Sequence, residues 1–349
     1  MSQTLQIVEG PYLRDILDQP RALEETHRRL QSSPALDTLA RHLGEGWYQR
    51  VVLTGMGSSH HGLHPLQVRL IEVGVPAVMV ESSELLHYQW RLLEERTLLV
   101  LVSQSGRSAE ILRLLEETRG RLETIGVTNT PDSPLAREAT AVVLTHAGDE
   151  ATVACKTHLA TQMALVWLGT RLTGGDVEET QKALEATIPG VRRYLEDWRA
   201  HVEDLAGSLE RVRAVYYVGR GPSLGAVCSA GLITKESTHR PAEGLGSAAF
   251  RHGPMEMLGD HVFVMVFAGE EKTRALNESL VADACAAGAR AFLVAEDADR
   301  PALRLPAVPS LARPVVEILP VEMLTLAIPA LDGREAGTFR VGGKVTTTE

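Results

Sequence analysis

Apolar positions along this chain fall into short, nearly continuous runs separated by longer amphipathic stretches. In the first half the runs are 51–55 (VVLTG), 77–81 (AVMVE), 97–103 (TLLVLVS), 123–128 (ETIGVT) and 141–145 (AVVLT). They are apolar throughout rather than alternating, as parallel strands buried on both faces are. Residues 11–32 read as amphipathic helix around Pro20. Residues 156–173 read as a helix and 176–199 as another, with a polar Gly-Gly-Asp break at 174–176. The second half repeats the theme, with strand-like runs at 214–219 (AVYYVG), 262–268 (VFVMVFA), 290–296 (RAFLVAE) and 314–319 (PVVEIL).

The repeat extends to individual residues. Thr54–Ser59 (TGMGSS) matches Val218–Ser223 (VGRGPS), so that Gly55 and Gly57 correspond to Gly219 and Gly221 at a constant offset of 164. Strands alternating with helices, twice over, predict an α/β fold. It consists of two tandem doubly wound, flavodoxin-like parallel-sheet domains joined near 190–205. The expected division is an N-terminal helical segment (1–34), a first domain (35–195), a second domain (196–330) and a C-terminal tail (331–349). That tail has no periodicity and four glycines. It reads either as a frayed end or as a loop that folds over a site and delivers Lys344.

Two loops follow strand-like runs and carry small hydroxyls: VVLTGMGSS at 51–59 and LLVLVSQSGRSAE at 98–110. Glycines let backbone come close to an anion, hydroxyls and N–H groups point at it, and a following helix adds its dipole. Neither loop is a Rossmann GxGxxG, because GMGSSH lacks the third glycine, and neither holds the GK[ST] of a P-loop. Hydroxyl-rich loops without a lysine suit a phosphate monoester better than a magnesium-bound triphosphate. An ordinary turn with an N-cap serine needs one hydroxyl, whereas SQSGRS offers three and Gln104 besides.

Composition narrows the partners. The 349 residues are 44% apolar, enough for a sizeable core in about two domains. A net charge of −10 disfavours nucleic acid, and no Lys/Arg block offsets it. The first ten residues lack the basic and apolar regions of a signal peptide. Apolar stretches such as 262–269 are too short to span a bilayer. Cys155, Cys228 and Cys285 are scattered and fit a reducing cytoplasm. Of the 35 basic residues only five are lysines (Lys156, Lys182, Lys235, Lys272, Lys344), so a lysine here is more readily one needed as an amine. His60, His61 and His64 follow the first loop, and His60/His64 have the i, i+4 spacing of a zinc pair. No Glu or Cys completes that set locally, and no metal or other cofactor is expected.

The segment 233–258 (ITKESTHRPAEGLGSAAFRHGPMEML) holds Glu236 in a helical stretch and His252 before Gly253-Pro254. A glutamate is the usual base for moving a proton between neighbouring sugar carbons through an enediol. A histidine can open the sugar ring by exchanging a proton with its oxygen. Read alone, Glu236 is equally a solvated helix position and His252 a turn residue.

Taken together, these segments resemble the isomerase domain of glucosamine-6-phosphate synthase and its relatives, which is built from two SIS (sugar isomerase) domains. The resemblance runs from LRDILDQPRAL (13–23) through GMGSS, SQSGRSAE, GVTNTPDSPLAREAT (126–140), AGDEATVA (147–154), VGRGPSLG, TKES and RHGP to the terminal KVTTTE. It implies that Ser58, Ser59, Ser103, Gln104, Ser105 and Ser108 form a sugar-phosphate cradle, with Gly57 and the backbone of Val153 beside it. It implies Glu236 as the enediol base and His252 as the ring-opening residue, supplied by a neighbouring subunit and hence a homodimer. It implies Lys344 as a lysine that closes over the substrate and forms a Schiff base with the open-chain ketose.

Departures from the family pattern bear on the reaction. The synthases carry a lysine one turn before the catalytic glutamate, where this chain has Ile233. Their Ser-Thr-Lys after Val-Ala is here Cys155-Lys156-Thr157. No glutaminase domain with its N-terminal cysteine is expected, position 2 being serine. The expectation is a cytoplasmic, metal-free enzyme acting on a hexosamine or ketose 6-phosphate, with loss of ammonia from C2. Amination by free ammonia and release of an amino acid from a fructosamine phosphate are the alternatives. A non-catalytic sugar-phosphate sensor is the alternative of another class. No nucleic acid and no membrane is expected as a partner.

Overall fold

The computed structural model describes residues 7–341, 343 and 344. The chain folds into two compact units that interleave in sequence. One is built from Arg21–Asp149 and Lys156–Glu185, the other mainly from Ala186–Val341 together with the residues up to Pro20 and Glu150–Cys155.

The first unit holds five parallel strands: β1 (Arg50–Gly55), β2 (Ala77–Glu81), β3 (Thr97–Val102), β4 (Glu123–Thr128) and β5 (Ala141–Leu144). Their order is β2-β1-β3-β4-β5. Every residue of β3 is buried, as its continuous Leu/Val run requires of a central strand covered on both faces. The direction of winding reverses between β1 and β3, the switch point at which loops diverge and leave a crevice beyond the strand ends. In register Gly55 lies opposite Val102. The loop after β1 and the loop after β3 therefore leave the sheet side by side and at one level.

The second unit repeats this with β6 (Ala214–Gly219), β7 (Ala242–Gly246), β8 (Val262–Phe267) and β9 (Arg290–Val294), all parallel, in the order β7-β6-β8-β9. The two sheets share the order 2-1-3-4, and Gly57 and Gly221 share a left-handed conformation, φ +51° and +56°. The repeat is thus a repeat of topology as well as of residues.

Three elements differ from expectation. The run 314–319 is not a strand: it lies in the helices Arg313–Val316 and Leu319–Leu331. The apolar pattern continues past it for twelve residues, to Leu331, and Pro314 and Pro320 stand in first turns, where a proline costs no hydrogen bond. Ser310–Leu331 is also long and apolar enough to cross a membrane by length and composition, which the eight-residue runs noted above are not. Its most apolar window is 94% buried. The expected helix over 176–199 is three helices, Val177–Glu185, Thr187–Glu196 and Trp198–Ala206. Pro189 lacks an N–H and clashes with the preceding turn, so the first break falls before Thr187. No strand-like run marks β7, because Ala-Glu-Gly-Leu-Gly carries no β-branched residue. It takes its place by close approach: a Cβ on Gly244 would come within 2.1 Å of the Val227 carbonyl oxygen on the neighbouring helix.

Candidate functional site

The two hydroxyl loops occupy the switch-point crevice of the first unit. After β1 the chain turns through Met56 into a short helix, Gly57–His61, which carries Ser58 and Ser59. Gly55 packs so tightly that a Cβ there would lie 2.9 Å from the Val102 carbonyl oxygen and 3.1 Å from His60 N. Glycine at 55 thus lets the two loops approach.

After β3 the chain forms a closed turn, residues 103–108. The Gly106 N–H donates to both the Ser103 carbonyl and Ser103 Oγ, at 3.1 Å each. Arg107 N–H donates to Ser105 Oγ at 3.2 Å. Ser103 Oγ and Ser108 Oγ are 3.5 Å apart. The Gln104 carbonyl accepts from Asn129 N–H at 3.0 Å and from Thr128 Oγ1 at 3.2 Å, which ties the turn to the end of β4. The side chains of Ser59 and Gln104 make no hydrogen bond among the described residues.

The N-cap explanation for these serines fails on inspection of the caps. Ser33 and Ser133 do cap their helices, accepting from Leu36 N–H and Ala136 N–H. Ser108 stands at the N-cap of Ala109–Thr118 without using its side chain for the purpose. Its hydroxyl turns instead toward Ser103. The N-terminus of a ten-residue helix, its cap hydroxyl otherwise directed, beside the two further hydroxyls of Ser103 and Ser105, is suited to an anion.

Gly106 is the residue on which this turn depends. Its φ is +62°, and a Cβ would meet Ser133 Oγ at 2.3 Å and Thr128 Oγ1 at 3.0 Å. Gly106→Ala should cost about 1–3 kcal/mol from left-handed strain and displacement of the Ser133 cap. It should weaken phosphate-ligand binding about tenfold or more. Urea denaturation and ligand titration on the purified variant check both parts.

The second copy of the crevice has a different filling. Ser223, at the offset of Ser59, donates to Glu317 Oε1 at 2.6 Å. Glu317 is buried, and burial pushes its carboxyl up to about 7, with the neighbouring Glu270 adding to the effect. Where β3 is followed by Ser103-Gln104-Ser105, β8 is followed by Ala268-Gly269-Glu270. A crevice whose hydroxyl is spent on a carboxyl and whose rim is acidic is unsuited to phosphate.

The other anticipated residues lie mainly in the second unit. Val153 is buried in the irregular segment Glu150–Cys155. Glu236 is half-buried in the last turn of the helix Leu224–Thr238, which ends at His239 in a left-handed conformation, φ +55°. The tail fastens this end. Gly337 N–H donates to the Ser237 carbonyl at 3.0 Å, Arg334 to the Thr238 carbonyl at 3.3 Å, and His239 Nε2 lies 2.9 Å from the Thr338 carbonyl. Residues 334–338 are therefore a strap over the helix end next to Glu236, not a frayed end. Lys344 follows six residues later, half-buried, and groups with the first unit. Residues 345–349 of the terminal motif lie outside the described residues. His252 is exposed, just after the helix Ser247–Arg251 and before Gly253 at φ +130°. Ile233 is buried, 1% exposed, on the helix of Glu236.

The lysine count proves a weaker guide than expected. Lys182 and Lys272 are exposed and paired with Glu178 and Glu270, and Lys235 is exposed as well. Only Lys156 and Lys344 are shielded. Burial pushes His64 down to about 4, helped by His60, and lowers His60 itself. Among the described residues no group of three or more His, Cys, Asp or Glu side chains is disposed to hold a metal.

Sequence reasoning missed His158. It is buried on the helix Lys156–Leu172, with Nδ1 3.1 Å from Ser58 Oγ in the first loop. One turn on, Gln162 Nε2 donates to the Gly62 carbonyl at 3.2 Å. Two polar residues at i, i+4 on a buried helix were the available signal, since a buried polar side chain wants a partner.

Comparison with known proteins places these features in context. The SIS domain family model matches residues 48–170. A glutamine–fructose-6-phosphate aminotransferase (isomerizing) from Pyrococcus horikoshii is 27% identical, over 99% of this chain and 60% of its own length. The chain thus spans about three-fifths of such relatives. Among solved structures, the C-terminal domain of glucosamine-fructose-6-phosphate aminotransferase from Francisella tularensis superposes with a TM-score of 0.82 at 20% identity, covering 95% of this chain and 98% of that one. A glucosamine-6-phosphate deaminase from Thermotoga maritima gives 0.79 at 18% identity, covering 97% and 100%. At these identities the two structures support the tandem fold.

Proposed function

Because residues 48–170 belong to the SIS domain family, we propose that this chain is an enzyme of the sugar-phosphate isomerase type acting on a hexosamine 6-phosphate. The observation that carries the reading is the pair of hydroxyl loops at the β1/β3 switch point, with hydroxyls not spent on helix capping. In this reading Ser58, Ser59, Ser103, Gln104, Ser105 and Ser108 hold the phosphate, with Gly57 and the Val153 backbone beside it.

The reaction then follows from elementary chemistry. His252 exchanges a proton with the ring oxygen, and the sugar opens to its C1 aldehyde. Glu236 takes the C2 proton, giving an enolamine, and returns a proton to C1. The product is a C2 imine, which adds water and releases ammonia as the ketose phosphate forms. Lys344 in its neutral form can attack the ketose carbonyl, lose water and hold the open chain as a Schiff base. The exposure of His252 supports its service to a partner copy, and hence a homodimer. Cys155, Cys228 and Cys285 are thiols, which fits a cytoplasmic setting.

The reverse reaction, amination of fructose 6-phosphate by ammonia, is the second reading. The alignment with a named aminotransferase over nearly the whole chain favours it. A panel of glucosamine 6-phosphate, fructose 6-phosphate with ammonium, and fructosamine 6-phosphate, each beside its unphosphorylated sugar, tests both. Turnover of at least one phosphorylated member, with the free sugars at least a hundredfold poorer, is expected. Equal handling of phosphorylated and free sugars would remove the cradle and the proposal with it.

A further inference from the structure

The bond between His158 and Ser58 has no part in the scheme above. His158 is 5% exposed, and its Nδ1 lies 3.1 Å from Ser58 Oγ. Its Nε2 is buried and has no hydrogen-bond partner among the described residues. Burial pushes the imidazole down to about 4, with His61 adding to the effect, so the ring is neutral at physiological pH.

A neutral imidazole carries one N–H, on one nitrogen or the other. With the proton on Nε2, a buried donor would have no acceptor, the costlier kind of orphan. With the proton on Nδ1, the donor is satisfied by Ser58 Oγ and only a lone pair is left bare. The bond then has a direction: His158 donates and Ser58 accepts. Ser58's own proton is left for an acceptor on the open side of the loop. Such a relay also polarises the hydroxyl. A phosphate oxygen, which only accepts when the phosphate is a dianion, is the matching ligand atom. The bracing is doubled one turn away, where Gln162 fastens the Gly62 carbonyl.

We propose that His158 is a positioning residue that commits the Ser58 hydroxyl to donate to the substrate phosphate. This rests on the functional reading above and assigns within it the polarity of one cradle hydroxyl. His158 touches no reacting atom, so its loss acts on binding alone.

The test combines kinetics with a spectroscopic signature, using glucosamine 6-phosphate and fructose 6-phosphate as probes. His158→Leu and Ser58→Ala should each raise KM about tenfold with kcat within twofold, the size of one lost charge-assisted bond. The double variant should be no worse than either single one. His158→Asn, whose amide N–H can stand where Nδ1–H stood, should restore KM to within about threefold. The ¹⁵N spectrum of the wild type should show His158 protonated on Nδ1 and not titrating between pH 5 and 8. Multiplying effects in the double variant, no rescue by asparagine, or a proton on Nε2 would each overturn the assignment. A wild type that binds neither phosphosugar overturns the functional reading instead. Normal binding by His158→Leu overturns only the role of His158.

Discussion

Glu236→Gln is expected to lower kcat about a thousandfold, within the 10²–10⁴ range that a positioned acid–base group contributes, while KM for the phosphosugar stays within about threefold. The reasoning starts from what glutamine keeps. It has the size and most of the hydrogen bonding of glutamate but cannot take the C2 proton. The residues proposed to hold the phosphate lie on other elements, in the loops after β1 and β3, so ground-state binding has no reason to change. Glu236 is also half-buried at a helix end fastened by residues 334–338, so an isosteric amide leaves that end intact. Turnover of the panel above, equilibrium binding and a thermal melt, on wild type and variant together, separate the outcomes. A wild type that binds phosphosugars tightly and turns none over would make the chain a sensor. A variant that loses binding and turnover in equal measure would make Glu236 a binding residue rather than the base.

What could be read in the sequence follows from where the local signal was strong. β1, β2, β3, β4, β6 and β8 came within a residue of their bounds, because buried parallel strands are written as continuous β-branched or leucine runs. The loops after β1 and β3 were legible as loops for a related reason: clustered glycine and serine at the end of an apolar run mark a turn. β7 was illegible because its place is won by contact between Gly244 and the helix above it, a tertiary fact without a local pattern. The run 314–319 misled because an all-round buried helix and a buried strand look alike over six residues. His158 escaped because its significance lies in a partner 100 residues away. The repeat at offset 164 marks two copies of one parallel-sheet domain, as the shared strand order bears out. Only the structure shows that the second loop gives its hydroxyl to Glu317.

The second large effect is on stability, and it comes from two carboxyls buried in the same unit. Glu322 is fully buried and takes both hydrogen bonds of Gln19 Nε2, at 2.7 Å to each oxygen. Burial still pushes its carboxyl up to about 8, with Glu150 adding to the effect, and Glu317 stands at about 7. An acid whose pKa is raised on folding holds its proton in the native state at pH values where the unfolded chain has lost it. The native state then binds more protons, so stability falls as pH rises, beginning near the unfolded value and ending above the folded one. Histidines with lowered pKa work the other way, but only below about 6.5, as His158 and His64 do in the other unit. Between pH 6.5 and 8.5 the glutamates act without that opposition. The unit that contains them should lose on the order of 2–3 kcal/mol over this window, most of it through Glu322, whose raised pKa reaches further into it. Glu322→Gln should remove about two-thirds of that slope and Glu317→Gln the smaller remainder. Urea denaturation at several pH values, followed together with amide exchange of Leu319–Leu331, measures it. A wild-type stability that stays flat across this window would mean that both carboxylates are already ionised in the folded protein, against the burial that surrounds them.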